Sequence, residues 1–529
     1  PSTYSGRSSS ERMDSQLGPW VEGVAYNRAA EDIEEAGVTS MSNMELDTSG
    51  ELKKRLGTAS YEDEAPESGN PTVTFCGEYT IPPATTVVVM IAGAKAYRHT
   101  GSAWDDDITG SVTITAADNN TFVGAVDEGA GQLLVTNGVN PPMTKITTGN
   151  FAASDVESRF TAAGTVAHFN NRGWWGSTTT SGTVQYDRLW YSDLADNTSI
   201  PAKNNIDFGS PIIALVPLRE FLAVHTENGI FALTPTGNAE APFQKEKVTN
   251  RGCVSKRGVA VLPGEVQLFV RRDGIYSWDG SDTVEKISHA LDGGYWPKID
   301  ADQVKHSFAL YYPLKDQTWF WLPYSATSGT QTKMNHIMIW SGIHETFFGP
   351  YEGDSLFTRN CAGLIDGRPH AGTHNSSGSI GGTVQDHQPA ATYNDDDNSN
   401  GTAIKAYFKT GSPAPEGSAN TVRWLYARTY YDATGAFAVT VEQESSGVDG
   451  TTKTFTVDGG GFTLDLSNLG EEELGTVRML SVDTDLTGYD PHSSLKFSNN
   501  DVDAFFTIRR THPVYRNLGR IRQRKAGVE

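Results

Sequence analysis

The polar stretch at residues 396–401 has residue types and a spacing that suit a calcium ion. Asp396, Asn398, Asn400 and Gly401 match positions 1, 3, 5 and 6 of a calcium-binding loop. Position 12 of such a loop carries a bidentate glutamate, but this chain has Tyr407 there, and no helical pattern flanks the stretch. We therefore keep Asp396, Asn398 and Asn400 as a weak metal candidate, interpret the stretch as a loop between domains, and expect no cofactor.

Thiols and imidazoles are spread through the chain rather than clustered. Cys76, Cys253 and Cys361 lie far apart and form no CxxC pair, which supports neither a zinc site nor a disulfide framework. We expect buried free thiols. Of the 12 histidines, three lie in or beside predicted hairpin strands, where we interpret them as core or rim residues: His168, His225 and His370.

Sequence motifs of common enzymes are missing from the chain. There is no GxSxG, no HExxH, no phosphate-binding loop and no GxGxxG after a strand. Adjacent aromatic residues at Trp174-Trp175, Trp190-Tyr191 and 319–321 would suit a sugar platform, but aromatic residues in strands more often pack between sheets. We predict no catalytic residues and no enzyme activity.

The composition favours strands over helices. Of the 529 residues, 54 are glycine, 10% are aromatic and only 20% are charged. The formal net charge of −22 argues against a general nucleic-acid-binding protein, which needs a basic face. Two interpretations of this negative charge remain: it keeps the protein soluble, or it forms a surface that repels polyanions. The composition predicts an all-β protein.

Apolar runs separated by tight turns recur from about residue 72 onward. FLAVHTENGIFAL (221–233) aligns with VQLFVRRDGIYSW (266–278), and Asn-Gly and Asp-Gly favour type I′ hairpin turns. Turns of this kind recur about 35 to 56 residues apart, around Gly93, Gly138, Gly173, Gly229, Gly274, Gln317 and Gly367. A period of roughly 40–50 residues is typical of four-stranded propeller blades. We predict a β-propeller of six or seven blades over residues 72–386; an irregular sandwich is the alternative.

The remaining segments have different patterns. Residues 1–71 are expected to form an N-terminal arm with one short helix (26–38) and an acidic linker (61–71), since Asn27 can cap a helix and Gly37 can end it. Residues 387–512 contain alternating apolar and polar runs, which predict a sandwich-like antiparallel β unit. We expect no signal peptide and no membrane anchor, because the N-terminus lacks an apolar run and the run at 85–94 is too short to span a bilayer.

The C-terminal residues 513–529 form a basic tail. It contains Arg520, Arg522 and Arg524 and ends on a single glutamate. The tail is either a solvated segment or a docking element for an acidic partner, so these three arginines are candidate interface residues.

Four segments carry distinctive motifs in a fixed order. They are SNMELDTSGELKKRLGTASY (42–61), YDRLWYSDLADNTSI (186–200), IDFGSPIIALVPLREFLAVHTENGIFALT (206–234) and RGCVSKRGVAVLPGEVQLFVRRDGIYSWDG (251–280). In this order they resemble the propeller-containing tail nozzle proteins, also called tail hub or stabilisation proteins, of short-tailed bacteriophages. The resemblance runs through nearly the whole chain but does not include the first 20 residues, the loop near 396–401 or the basic tail.

This resemblance implies a structural role in the virion tail, after synthesis in the host cytoplasm. Proteins of this family form a homo-oligomeric, typically hexameric, ring below the portal and its adaptor. The ring extends the DNA channel without specific DNA binding and holds a tail needle or plug and fibres or spikes. In that setting Lys53, Lys54 and Arg55 would form a basic turn near an interface, with a solvated turn as the alternative. The alternative function is a receptor- or glycan-binding propeller on the virion surface, as a spike or fibre component.

Overall fold

The computed structural model describes most of the chain. The described residues are 12–61, 71–81, 85–101, 103–104, 106–115, 121–146, 149–154, 159–325, 333–353, 357–374, 382–389, 394–395, 402–412, 420–434, 436–445, 452–458, 480–487, 489, 492–501 and 505–520. They form two compact units. We call residues 57–339 and 352–401 the propeller unit, and residues 1–56, 340–351 and 402–529 the sandwich unit.

The fold class is all-β, as predicted. Among the described residues the helical segments are short 3₁₀ turns: Ala30–Asp32, Pro263–Glu265, Ser288–Leu291, Trp296–Lys298, Val304–His306 and Pro313–Lys315. The chain begins with six short strands: β1 (Met13–Asp14), β2 (Gly23–Val24), β3 (Gly37–Ser42), β4 (Met44–Leu46), β5 (Leu52–Lys54) and β6 (Ala59–Ser60). None of the described helices is long and apolar enough to cross a membrane.

The next strands form consecutive four-stranded antiparallel sheets, which we call blades A to G. Blade A is β7 (Val73–Ile81), β8 (Thr85–Ala92), β9 (Lys95–Arg98) and β10 (Asp106–Asp107). Blade B is β11 (Val123–Asp127), β12 (Gln132–Thr136), β13 (Met143–Ile146) and β14 (Phe151–Ala153). Blade C is β15 (Ala162–Phe169), β16 (Arg172–Thr180), β17 (Thr183–Tyr191) and β18 (Asn205–Asp207). Blade D is β19 (Ile212–Pro217), β20 (Leu222–Thr226), β21 (Gly229–Pro235) and β22 (Phe243–Thr249). Blade E is β23 (Val259–Val261), β24 (Gln267–Arg271), β25 (Gly274–Trp278) and β26 (Glu285–Lys286).

Blades F and G complete the series. Blade F is β27 (Phe308–Tyr312), β28 (Gln317–Leu322), β29 (His336–Ser341) and β30 (Thr346–Tyr351); β30 and the end of β29 fall within the residues assigned to the sandwich unit. Blade G is β31 (Arg359–Ile365), β32 (Arg368–Thr373), β33 (Val384–Asp386) and β6. The described residues thus form seven such sheets, the larger of the two predicted blade numbers. Each sheet contains one of the seven turns on which the prediction was based.

The first strand of each blade faces the centre of the propeller, where such folds have a channel. First strands are in contact from blade A to blade D and from blade E to blade G, and β31 of blade G contacts β7 of blade A. Blades D and E share an apolar cluster, so the blades close into a circle. The fourth strand of blade G comes from the N-terminal part of the chain, because Ser60 pairs with Gln385 and Ala59 with Asp386. The last blade is therefore completed by the segment that precedes the first.

Two of the hairpin turns follow the predicted type I′ geometry. Asn170 and Asn171 link the first two strands of blade C with φ angles of 52° and 56°. Asp366 and Gly367 do the same in blade G with φ angles of 51° and 70°. Positive φ at both central residues is what this turn requires, and asparagine, aspartate and glycine tolerate it best.

The turns of blades D and E lie one residue earlier than predicted. Thr226 pairs with Gly229, so the loop is Glu227-Asn228 rather than Asn228-Gly229, and blade E has its loop at 272–273 in the same way. These loop residues do not have positive φ, so the type I′ assignment is wrong here. Gly229 serves close packing instead, since a Cβ there would lie 2.3 Å from the carbonyl oxygen of Thr249 in the next strand.

Large aromatic side chains fill the spaces within and between blades. Trp174 of blade C is fully buried in a cluster that includes Leu222 and Phe231 of blade D. Trp278 packs with Ala223 and Phe269 in the same manner one blade further. Each blade therefore buries its faces against its neighbours, which confirms the packing interpretation of the paired aromatic residues.

The sandwich unit contains the remaining long strands. The strands after blade G are β34 (Asn394–Asp395), β35 (Thr402–Ala403), β36 (Ala406–Thr410), β37 (Asn420–Thr434), β38 (Ala436–Ser445), β39 (Thr452–Asp458), β40 (Leu480–Asp485), β41 (Ser493–Asn499) and β42 (Phe505–Arg520). One sheet has the order β4-β5-β42-β37-β40 with β1 also on β42, and the other has the order β2-β3-β36-β41-β38-β39. The two sheets fit the predicted sandwich-like fold, but the bounds differ from the expected 387–512, since the unit also contains residues 1–56 and 340–351. The expected basic tail over 513–529 is wrong up to Arg520, because β42 continues to that residue and buries Val514 and Tyr515.

The N-terminal segment differs from the predicted arm. β1 to β5 are strands of the two sandwich sheets, with buried side chains such as Val38, Met41 and Leu52. The helix expected over 26–38 is reduced to the single turn Ala30–Asp32, and β3 begins at Gly37. The stretch has too few apolar residues for an amphipathic helix, and a short helix needs a packed apolar face to be stable. Pairing with the C-terminal strands supplies more burial.

Candidate functional site

The loop before blade E is the feature of the propeller unit with the most unusual chemistry. Residues 251–258 lead into β23, and we call them the blade E loop. Its backbone is fixed on two sides: Val254 N–H donates to Val270 O (3.2 Å), and Ala309 N–H in β27 of blade F donates to Arg257 O (2.9 Å). The Ser255 hydroxyl also donates to the Ser307 carbonyl oxygen beside blade F. The loop is therefore held firmly between two blades.

Two adjacent basic side chains of this loop extend to other blades. Lys256 Nζ donates to the carbonyl oxygen of Asn137 in blade B (3.1 Å), and Arg257 Nη2 donates to the carbonyl oxygen of Asn360 in blade G (2.7 Å). The Arg257 guanidinium also lies 4.9 Å from the ring centre of Phe308, at the start of β27. Contacts with blades B, F and G place the loop across the end of the central channel at which the first strands begin.

The turn that receives Lys256 is itself well ordered. Asn137 Oδ1 accepts hydrogen bonds from the backbone N–H groups of Val139 (3.0 Å) and Asn140 (2.8 Å), and Asn137 Nδ2 donates to Asn140 Oδ1 (2.9 Å). This Asx-type network holds the carbonyl oxygen in place. The position of the ammonium group is therefore set by a rigid acceptor.

Burial and mutual repulsion lower the pKa values of the basic groups at the blade E loop. Burial and the neighbouring Arg257 lower the pKa of Lys256 to about 7. Burial lowers the pKa of Arg257 to about 10, although the thiols of Cys361 and Cys76 act in the opposite direction. Burial, followed by the charges of Lys305, Arg257 and Lys256, lowers the pKa of His306 to about 4. Like charges and desolvation both disfavour the protonated forms.

The two basic side chains of the loop have neutral acceptors rather than acidic ones. Within the part of the chain that the structure describes, Lys256 and Arg257 form no ion pair with a carboxylate, and their hydrogen bonds go to backbone carbonyl oxygens. Both residues are partly buried. A basic pair without a carboxylate partner thus lies within a chain whose formal net charge is −22.

Two of the three predicted histidines connect neighbouring blades. His225 Nε2 lies 2.6 Å from Gln267 Oε1 of the next blade, and burial lowers the pKa of His225 to about 4. His168 Nε2 of blade C lies 3.3 Å from Asp127 Oδ1 of blade B. His370 is buried, and its Nδ1 lies 3.1 Å from the carbonyl oxygen of Arg368. The structure thus places all three predicted core histidines in packed positions.

A shallow groove of about 390 Å³ lies on the outer part of blade C. It is lined by residues 184–188 and 209–211, and its most exposed side chain is Tyr186, which is 59% exposed. Arg188 forms a two-bond ion pair with Asp207 beside the groove, with N–O distances of 2.7 and 3.1 Å. The groove combines an open aromatic face with fixed polar groups.

The basic segment Lys53–Arg55 is not the exposed turn that the sequence suggested. Lys54 is fully buried, and its Nζ donates to Asn499 Oδ1 and to the carbonyl oxygen of Asp501, each at 3.1 Å. Arg55 is buried as well, with Nε 2.7 Å from Asn43 Oδ1. Lys53 keeps some exposure and lies 3.8 Å from Glu45. Both side chains are buried because of the position of β5, an inner strand that is bonded to β4 on one side and to β42 on the other. Lys54 is the last residue of β5, and Arg55 follows it directly.

The metal candidates and the arginines of the predicted basic tail lie wholly or partly outside the residues that the structure describes. Asp396, Asn398 and Asn400, with Arg522 and Arg524, fall outside the described residues, and of Arg520 only the backbone at the end of β42 is described. Within the described residues, no group of three or more His, Cys, Asp or Glu side chains is arranged to hold a metal ion. The three cysteines are buried free thiols, as expected.

Sequence reasoning missed the blade E loop as a site. In the sequence, Lys256 and Arg257 belong to the motif RGCVSKRG, which contributes to the family resemblance but does not single out either residue. Two adjacent basic residues between Ser255 and Gly258 read as an ordinary turn, because their partners are more than 100 residues away in the chain.

Comparisons with known proteins give no family. No protein-family model matches the chain, and no curated protein matches it. Among solved structures, the designed protein Ika8 matches with 9% identity over 62% of this chain and 99% of that one, at a TM-score of 0.36. PorZ, a surface component of the type-IX secretion system of Porphyromonas gingivalis, matches with 13% identity over 76% of this chain and 46% of that one, at a TM-score of 0.35.

A family 43 arabinoxylan arabinofuranohydrolase from Bacillus subtilis is a third similar structure. It has 9% identity over 89% of this chain and 95% of that one, at a TM-score of 0.23. Likeness at this level carries no argument about activity or ligands. What this chain does has to be inferred from its own residues.

Proposed function

We propose that this chain is a structural protein of a bacteriophage virion, the subunit of a tail nozzle. The proposal starts from the ordered sequence motifs and is supported by one structural observation: polar side chains of these motifs are used to fasten blades together. His225 in the segment 206–234 pairs with Gln267 in the segment 251–280. Such use of polar groups suits a rigid scaffold that carries load rather than a reaction centre.

The proposed nozzle ring consists of copies of this chain, typically six, below a portal and adaptor. Its further partners are a tail needle or plug and fibres or spikes, and genomic DNA passes through it during ejection. A formal charge of −22 on every copy suits this passage, because like charges lower the affinity of a wall for DNA. The protein is made in the host cytoplasm and resides in the virion tail.

Oligomeric state and position on the virion test this proposal. Native mass spectrometry of the purified chain, alone and mixed with the portal–adaptor assembly of the same phage, is expected to show a closed ring bound to the adaptor. Electron microscopy of virions labelled with an antibody against this chain should place it on the tail axis. A stable monomer that ignores the adaptor, or a trimer at the fibre tips, would contradict the nozzle.

The blade C groove supports a second candidate, a receptor- or glycan-binding propeller on the virion surface. An exposed tyrosine ring beside fixed polar groups is a common way to hold a sugar, because the ring face packs on C–H groups while polar side chains bind hydroxyls. Tyr186 has this setting, with Arg188 held by Asp207.

Binding of the purified chain to host surface polysaccharide tests the second candidate. We expect Tyr186→Ala to abolish binding if the groove is the site. Tyr489→Ala is the matched control, since Tyr489 is similarly exposed, at 64%, but belongs to the sandwich unit. Equal loss in both variants, or no binding by the unmodified chain, would remove this candidate.

A further inference from the structure

We propose that Lys256 and Arg257 form a binding site for a small inorganic oxyanion of the phosphate or sulfate type, at the end of the propeller channel, with Lys305 and His306 beside it. This site is independent of the proposed nozzle function. It concerns one folded chain and needs neither a ring nor a tail partner.

The geometry supplies unused donors at a fixed place. Arg257 uses Nη2 for Asn360 O, and Lys256 uses one N–H for Asn137 O. A guanidinium has five N–H donors and an ammonium has three, so each group retains donors for a ligand. The backbone contacts of the blade E loop hold both side chains between blades B, F and G. Guanidinium and ammonium donors of this kind are the usual protein ligands of tetrahedral oxyanions.

The charge balance calls for an anion. Two neighbouring cations in partly buried positions are costly, and such groups are normally paired with a carboxylate or another anion. Within the described residues Lys256 and Arg257 have carbonyl partners only. The lowered pKa of Lys256 reflects the same lack of an anionic partner, because burial and Arg257 disfavour its charged form. A bound oxyanion offsets both effects.

The enclosure favours a small ion over a nucleic acid. Nucleic-acid surfaces use an exposed basic stripe on a protein of suitable net charge. Here the two side chains are partly buried within a circle of blades, and the chain as a whole is strongly acidic. A single tetrahedral ion can approach such a place without bringing a long polyanion against the acidic surface.

Isothermal titration calorimetry with inorganic phosphate tests the proposal directly. At neutral pH in a chloride buffer we expect saturable binding of one phosphate per chain, and sulfate should compete for it. Lys256→Gln should weaken binding at least tenfold. Lys203→Gln is the matched control, because Lys203 is an exposed lysine of the same unit, and it should bind as the unmodified chain does.

A second measurement covers the case in which a loop variant folds poorly. Lys305 is exposed, so Lys305→Gln should fold normally and lower the affinity by a smaller factor. Phosphate should also raise the melting temperature of the unmodified chain, whereas chloride at equal ionic strength should not. The proposal is wrong if phosphate neither binds nor stabilises, or if Lys256→Gln and Lys305→Gln both bind it unchanged. Lysine-dependent binding of a single-stranded oligonucleotide without phosphate binding would overturn it too.

Discussion

The sulfur atoms of Cys76 and Cys361 lie 3.5 Å apart across the junction between the first and the last blade. Cys76 belongs to β7 and Cys361 to β31, and both side chains are buried in one apolar cluster. The contact with Cys361 and burial raise the pKa of Cys76 well above its usual range. The junction that closes the propeller therefore contains a ready pair of thiols that solvent does not reach.

We expect this pair to form a disulfide only when the junction opens. Each thiol would lose a proton and an electron to an added diazene oxidant such as diamide, and the two sulfurs would bond to each other. Under native conditions the reaction should be slow because buried thiols are inert. Near the urea midpoint it should be fast, and mass spectrometry should show the loss of two hydrogens and a Cys76–Cys361 peptide. Rapid pairing in the native state would contradict this.

The buried Lys54 and the exposed Lys95 should differ sharply in their effect on stability. Lys54→Met removes the ammonium donor from the buried Asn499 Oδ1 and from the partly buried carbonyl oxygen of Asp501. Loss of a donor from a buried acceptor costs about 1–3 kcal/mol. Lys95→Met removes only an exposed ion pair with Asp107, worth about 0–1 kcal/mol. Urea unfolding of the two variants measures the difference, and similar values would contradict the buried assignment of Lys54.

Acid should weaken the propeller through His225. Its pKa is about 4 in the folded chain against an ordinary 6.5, so the unfolded chain binds more protons between these values. The free energy of unfolding therefore falls as the pH drops from 6.5 towards 4. Between pH 6.5 and 5 this one group accounts for up to about 2 kcal/mol.

His225→Gln tests this, because glutamine can still bond Gln267 and does not titrate. Its loss of stability from pH 7.5 to 5 should be smaller than that of the unmodified chain, as measured by urea midpoints. Other histidines with lowered pKa, His168 and His370 among them, keep part of the effect. An equal loss of stability in the variant and the unmodified chain would contradict the assignment to His225.

Gly363 should be intolerant of even one added carbon. A Cβ at this position would lie 2.3 Å from the carbonyl oxygen of Cys76 and 2.8 Å from Cα of Gly77, both backbone atoms of blade A. We expect Gly363→Ala to destabilise the propeller by about 1–3 kcal/mol or more, since overpacking forces backbone shifts. Gly129→Ala, where the nearest atom is 3.4 Å away, is the control for thermal unfolding. Equal melting temperatures would show that the blade junction yields easily.

Local turn chemistry made the propeller predictable. Asp366-Gly367 and Asn170-Asn171 carry conformations that few other residue pairs accept, and such pairs mark one hairpin per blade. The turns at 227–228 and 272–273 show the limit of this reasoning. Gly229, which follows the first of these turns, is needed for the close approach of the Thr249 backbone in the next strand, and only the assembled sheet defines that contact.

Long-range pairing was beyond the sequence. The segment that contains Leu52 and Lys54 read as a turn because its partner, β42, lies about 450 residues away in the chain. The blade E loop is a similar case, since nothing near Lys256 in the sequence points to Asn137. Distances of this kind leave no local pattern, so the candidate site became visible only in the folded chain.

The origin of strand β6 has a consequence for synthesis. β6 leaves the ribosome before any blade, but its partner β33 follows about 325 residues later. At about 5–20 residues per second, that delay is on the order of tens of seconds. During this delay β6 has no partner strand. A nascent chain whose translation stalls before β33 therefore retains unpaired strand edges. Such edges are recognisable to chaperones and proteases, so only chains translated through β33 escape with a closed propeller.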